Sequence, residues 1–124
     1  MTRRCLLFTY GTLAPGSPLA PRSAGRAWPD RLRGKMFDLG DYPGAVALEQ
    51  DGETWINGQT VEIDEDELAE IDVYEDVSVG LFARRLVTTE SGHLAWAYEY
   101  CGAVPQGVSP LVDWSAHAKG RAAR

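Results

Sequence analysis

At 124 residues and 44% hydrophobic, the chain is long enough to bury one core and is read as a single domain, residues 1–124. A net charge of −6 argues against general affinity for nucleic acid, and no apolar run approaches the length of a membrane span. Two cysteines and two histidines, with no Cys-His cluster, speak against a zinc site.

The charge is unevenly spread. Through Lys35, seven basic residues face one acid, Asp30; from Met36 to Ala83 there are fourteen acids and no Lys or Arg. Solvated loops and an acidic helix face account for this split, with a basic arm that binds an anion as the alternative. The apolar run after Met1-Thr2-Arg3-Arg4 ends at Gly11, too short for a secretory h-region. The chain is therefore expected in the cytoplasm, with Cys5 and Cys101 in strands as reduced core thiols, a disulfide between them being left to geometry.

Residues 5–10 form the first expected strand, stopped by Tyr10-Gly11-Thr12-Leu13. Gly11 lets backbone approach a ligand closely, and amide N–H groups of such a turn can converge on an oxyanion or a carboxylate. Residues 14–30 carry four prolines and two glycines. They are read as a long irregular loop, either a lid or plain surface. Arg31 to Leu39 is a strand interrupted at Gly34, Pro43-Gly44 a turn and Ala45 to Leu48 a short strand. Thr54 to Ile63 is extended, with Gly58 marking a bulge or a close approach of backbone.

Asp64 to Asp76 is the one convincing helix, with Asp64 and Glu67 in capping-box spacing. At about 100° per residue, Leu68, Ile71 and Glu75 fall within roughly 60° of one another, so Glu75 shares the apolar face. A carboxylate there is costly unless paired or used, and Arg84 or Arg85 would be its partner in a salt bridge. Phe82 to Thr89 and Leu94 to Cys101 are strands joined by Glu90-Ser91-Gly92-His93. In the second of them Leu94, Trp96, Tyr98 and Tyr100 share a face, either as core or with Tyr98 or Tyr100 lending a hydroxyl to a cavity. Residues 102–124 are partly irregular, with Trp114 as a docking residue and a frayed basic tail from His117 to Arg124. Short strands and one main helix give an α+β fold on a mixed, largely antiparallel sheet curled into a small barrel.

Several stretches together resemble the γ-glutamylcyclotransferase-like superfamily. Phe8-Thr9-Tyr10-Gly11-Thr12-Leu13 resembles its Tyr-Gly-(Thr/Ser)-Leu opening, and Leu39-Gly40-Asp41-Tyr42-Pro43-Gly44 its Leu-Gly-x-Tyr-Pro-Gly. Ile71-Asp72-Val73-Tyr74-Glu75 is similar to its Leu-Asp-x-x-Glu, Phe82-Ala83-Arg84 to its Tyr-x-Arg, and Ala95 to Tyr100 to its Ala-x-x-Tyr-x-Tyr. The small γ-glutamylamine cyclotransferase-type proteins are the most similar branch. The loop Ala14-Pro15-Gly16-Ser17-Pro18 departs from bacterial-style members, and Phe82 stands where the family has Tyr.

The resemblance implies cleavage of a γ-glutamyl amine or amide by attack of its own α-amine, giving 5-oxoproline and a free amine without a cofactor or metal. Glu75 is the implied general acid/base. Tyr10, Gly11, Thr12, Leu13, Tyr42, Arg84 and Tyr100 are the implied substrate-binding residues. The expected partner is thus a small γ-glutamyl molecule, with neither nucleic acid nor membrane, and the oligomeric state is left open. The alternative is a non-catalytic binding module of the same fold.

Overall fold

The computed structural model describes residues 3–11, 13, 20–40, 42–49, 53–104, 106–107, 109–114 and 116–117. In chain order the strands are β1 (Arg4–Thr9), β2 (Ala27–Arg33), β3 (Lys35–Asp38), β4 (Pro43–Val46), β5 (Trp55–Asp64), β6 (Phe82–Thr88) and β7 (Leu94–Tyr100). One helix, α1 (Leu68–Tyr74), lies between β5 and β6.

β1 is central. Its neighbouring residues Leu7 and Phe8 point to opposite faces and are both buried, so the strand is covered on each side. It pairs antiparallel with β5 and parallel with β7 in a five-stranded sheet of order β2-β5-β1-β7-β6. One face carries Phe8, Leu32, Ile56, Ala95 and Ala97, over which the β3–β4 hairpin packs Met36 and Ala45. The other carries Leu7, Val61, Ile63 and Tyr98, covered by Leu68 and Ile71 of α1.

The strand order leaves β2 and β6 as edges, so no ladder closes the ring. The sheet is nevertheless curled until the two ends meet. The Glu90 N–H donates to the Arg31 carbonyl at 2.8 Å, and the Ser91 hydroxyl to Asp30 Oδ2 at 2.7 Å. Arg31 also pairs with Glu90. Asp30 shares the face of β2 that carries Leu32, so the curl closes around the Phe8 core, with α1 outside it.

Local differences from the sequence expectations have physical reasons. Trp28-Pro29-Asp30, expected in the loop, belongs to β2. An edge strand tolerates proline because it needs N–H donors on one side only. The expected strand from Arg31 to Leu39 is divided at Gly34 between the large sheet and the hairpin. The helix over residues 64–76 is shorter, a 3-10 turn at Glu65–Glu67 followed by α1. Its end is set by Asp76, in the left-handed region at φ 53°.

No capping box forms. Asp64 pairs with Arg4 at 2.8 Å, while Glu67 turns to residues 22–23 and accepts from the Arg22 and Ser23 N–H groups and the Ser23 hydroxyl. With Arg22 on Glu70, these contacts balance part of the basic first third against the acidic helix region. Cys5 is half-buried in β1, and Cys101 lies just past β7, exposed; both are free thiols. Leu111 and Trp114 dock the C-terminal segment on the Phe8 core; the tail expected to fray from His117 is held at that residue, which meets Asp38 at 2.8 Å, and residues 118–124 lie outside the described residues. No helix is long and apolar enough to cross a membrane among the described residues.

Candidate active site

A cavity of about 180 Å³ opens where β1 ends. Thr9, Tyr10, Gly11 and Leu13 form one wall, Tyr42 and Pro43 a second. Tyr74, Glu75 and Asp76, with Leu81, Phe82 and Tyr98, complete it. Two sequence features bring these segments together. Gly11 lies so close to Pro43 that an added Cβ would stand 2.6 Å from its Cγ. The apolar stripe of α1 presses the helix onto the sheet, so the residue that follows its last turn faces the end of β1.

That residue is Glu75. Its N–H closes the helix on the Ile71 carbonyl at 2.9 Å, and the side chain is half-buried. No hydrogen bond or ion pair reaches its carboxylate among the described residues. Burial, and then the negative charge of Asp76, push its pKa up to about 7. The carbonyl end of a helix likewise disfavours a negative charge there.

The salt-bridge alternative does not form. Arg84 Nε sits 3.4 Å from Asp72 Oδ1, with its guanidinium over the Trp96 ring, and Arg85 bonds Glu99 at 3.0 Å. Both arginines are committed to partners on or beside the sheet, whereas Glu75 lies beyond the last helical turn.

The tyrosines divide by their hydroxyls. Tyr10 donates to the Tyr98 carbonyl at 2.5 Å, and burial followed by the charge of Glu75 raises its pKa, so the phenol stays protonated. Tyr98 lines the cavity with its hydroxyl on Asp72 at 2.7 Å, and burial and then that hydrogen bond raise its pKa too. Tyr42 lines the cavity beside Phe82. Tyr100 is not in the lining; it packs edge-on against Phe82, ring centroids 5.5 Å apart. Arg84 is also outside the lining.

The N–H groups of Gly11 and Leu13 meet no acceptor among the described residues, which leaves them available to an anionic group; Thr12 lies outside the described residues. Pro43, Tyr74, Asp76 and Leu81 line the site without having been singled out from sequence. For Pro43 the sequence signal was a Pro-Gly dipeptide expected as a turn; both residues instead open β4, paired with Asp38 and Phe37, and the dipeptide said nothing of which strand end they would touch.

The arrangement is a small, partly apolar pocket holding the Glu75 carboxyl, its pKa raised to about 7, beside the Tyr10–Gly11 end of β1. It suits proton transfer on a small polar acyl group. Residues 7–116 match the profile of the family described as gamma-glutamyl cyclotransferase, AIG2-like. A Vibrio cholerae protein named "Putative gamma-glutamylcyclotransferase" is 33% identical over 99 residues, 77% of this chain and 81% of that protein.

Among solved structures, an uncharacterized protein of Pyrococcus horikoshii aligns with a TM-score of 0.72 at 22% identity, covering 97% of this chain and 98% of that one. A mouse AIG2-like protein aligns at 0.69 and 20% identity, covering 90% and 88%. At those identities the two structures speak to the fold alone. The match over residues 7–116 decides the family: the chain belongs to the gamma-glutamyl cyclotransferases, AIG2-like.

Proposed function

We propose that the chain cleaves a γ-glutamyl amine or amide to 5-oxoproline and a free amine, with Glu75 as general acid/base. The observation that supports this reading is the unpaired Glu75 carboxyl in the cavity at the end of β1, with its pKa raised to about 7.

The chemistry balances without water or a redox partner. The substrate's α-ammonium loses one proton to the Glu75 carboxylate, and the freed amine attacks the γ-carbonyl carbon. A new C–N bond closes the five-membered ring. As the old C–N bond breaks, the proton held by Glu75 passes to the leaving nitrogen. The second proton of the attacking nitrogen follows the same route, leaving a lactam N–H and an ammonium product. A carboxyl with a pKa near 7 exchanges protons readily in both directions at neutral pH. The N–H groups of Gly11 and Leu13 are suited to hold either the substrate's α-carboxylate or the oxyanion formed during attack. The nucleophile is already tethered, so the pocket's remaining work is orientation. Tyr10 and Tyr42 would supply walls for it.

The test is 5-oxoproline formation followed by mass spectrometry on a panel of γ-glutamyl amines and dipeptides, with Glu75→Gln in parallel. Product from the parent chain and none from the folded variant is expected. A Glu75→Gln protein that keeps full turnover overturns the assignment of Glu75. Saturable binding of γ-glutamyl compounds with no product from either protein would replace catalysis with a binding module.

A further inference from the structure

We propose that the amine half of the substrate lies in a second cavity beside the Glu75 site, and that this cavity favours amines bearing a further positive charge over neutral or anionic ones. The inference rests on the cyclotransferase reading of the Glu75 site. At about 180 Å³, the Glu75 cavity is smaller than the roughly 300–1,000 Å³ that encloses a whole drug-sized ligand. It suits an acyl group whose amine extends elsewhere.

The second cavity, of about 530 Å³, shares Thr9, Tyr10 and Gly11 with the first, so the two adjoin at the β1 terminus. Its far walls come from β2 at Asp30 and Arg31, β5 at Asn57 and Gln59, and the C-terminal segment at Asp113 and Trp114. That last wall is fastened in place. The Asn57 N–H donates to the Val112 carbonyl at 2.8 Å, the Leu111 N–H to the Met36 carbonyl at 2.7 Å, and His117 meets Asp38 at 2.8 Å.

The charges in this lining do not cancel. Asp30, Glu90 and Asp113 face one cation, Arg31, and that cation is paired with Glu90. Asp30 is held ionised by its hydrogen-bond donors. The Asp113 carboxylate accepts only the Ala116 N–H, at 3.1 Å, and no cation reaches it among the described residues. Two negative charges therefore remain, beside the amide side chains of Asn57 and Gln59. A distal ammonium gains from that field, and a carboxylate on the leaving group is repelled by it.

Three γ-glutamyl probes of matched length would test the subsite: the amides of 1,4-diaminobutane, butylamine and 4-aminobutanoate. kcat/KM is expected to fall in that order, by about five-fold per step, the size of one partly exposed ion pair. The spread should shrink as salt is raised. Asp113→Asn keeps a side chain able to cap the Ala116 N–H and should cut the diamine-to-carboxylate ratio by about five-fold. Equal kcat/KM for all three probes, or an Asp113→Asn ratio equal to that of the parent, overturns the subsite while leaving cyclotransfer intact. Absence of 5-oxoproline from all three, with the protein folded, overturns the cyclotransferase reading and the subsite with it.

Discussion

Asp30 and Glu75 are both carboxyl groups set back from the surface, and they are in opposite states. Asp30 accepts from the Thr60 and Ser91 hydroxyls at 2.8 and 2.7 Å and from the Arg31 and Ser91 N–H groups at 2.9 and 3.1 Å. Burial alone would raise its pKa, but the donors outweigh it and bring it to about 2. Glu75 is only half-buried and has no donors, and its pKa rises to about 7. Burial therefore does not set the direction of the shift by itself; the supply of hydrogen bonds to the charged form does. Asp30 clasps the two ends of the curled sheet. Glu75 is left free to exchange a proton.

The largest effect should come from removing Glu75, the proposed general acid/base. Glu75→Gln is expected to lose about two to four decades in kcat while keeping its circular dichroism spectrum. An equal loss from a variant that has also unfolded would make Glu75 structural and erase the contrast. Next comes Asp30→Ala, which strips an acceptor from several enclosed donors. Its expected cost is about 2–4 kcal/mol in urea unfolding, and an unchanged midpoint would show that the clasp is decorative.

The pH dependences should diverge as well. kcat/KM is expected to rise with pH through about 7 as Glu75 becomes the carboxylate able to accept a proton. Asp30, with a lowered pKa, contributes stability above its ordinary value of 3.8 that is lost as pH falls towards about 2. For Glu75 the sign is reversed. Its raised pKa means stability present below the ordinary 4.5 and lost as pH rises through about 7. The smallest expected signal follows from this. Glu75→Gln should melt above the parent at pH 8 and with it at pH 4, and a variant that melts lower at pH 8 would show that the carboxylate has a stabilising partner.

Glu75 was legible in the sequence because helical periodicity is local. Leu68, Ile71 and Glu75 share a face whatever the rest of the chain does, and a lone acid on that face asks for a reason. The strand that stops at Tyr10-Gly11, the close approach at Gly58 and the alternation of β7 were local in the same sense. An added Cβ on Gly58 would run into the Thr9 carbonyl, which accounts for glycine at the position expected to be a bulge or a close approach. Arg84 and Tyr100 illustrate the limit. Strand parity says which face they take, but not that Asp72 and Phe82 already occupy them.

Asp30 shows the same limit more sharply. In the sequence it is a lone acid among basic residues, inside a proline-rich stretch expected to be loop. Its role exists only because the curl brings β2 to Ser91, sixty-one positions away. Alternation and helical spacing determined the class of fold and pointed to the proposed acid/base, since each is a short-range property of the chain. The meeting of the sheet ends, the partners of the arginines and the second cavity were decided by tertiary structure alone, because pairing across long separations depends on how far the whole sheet twists and bends.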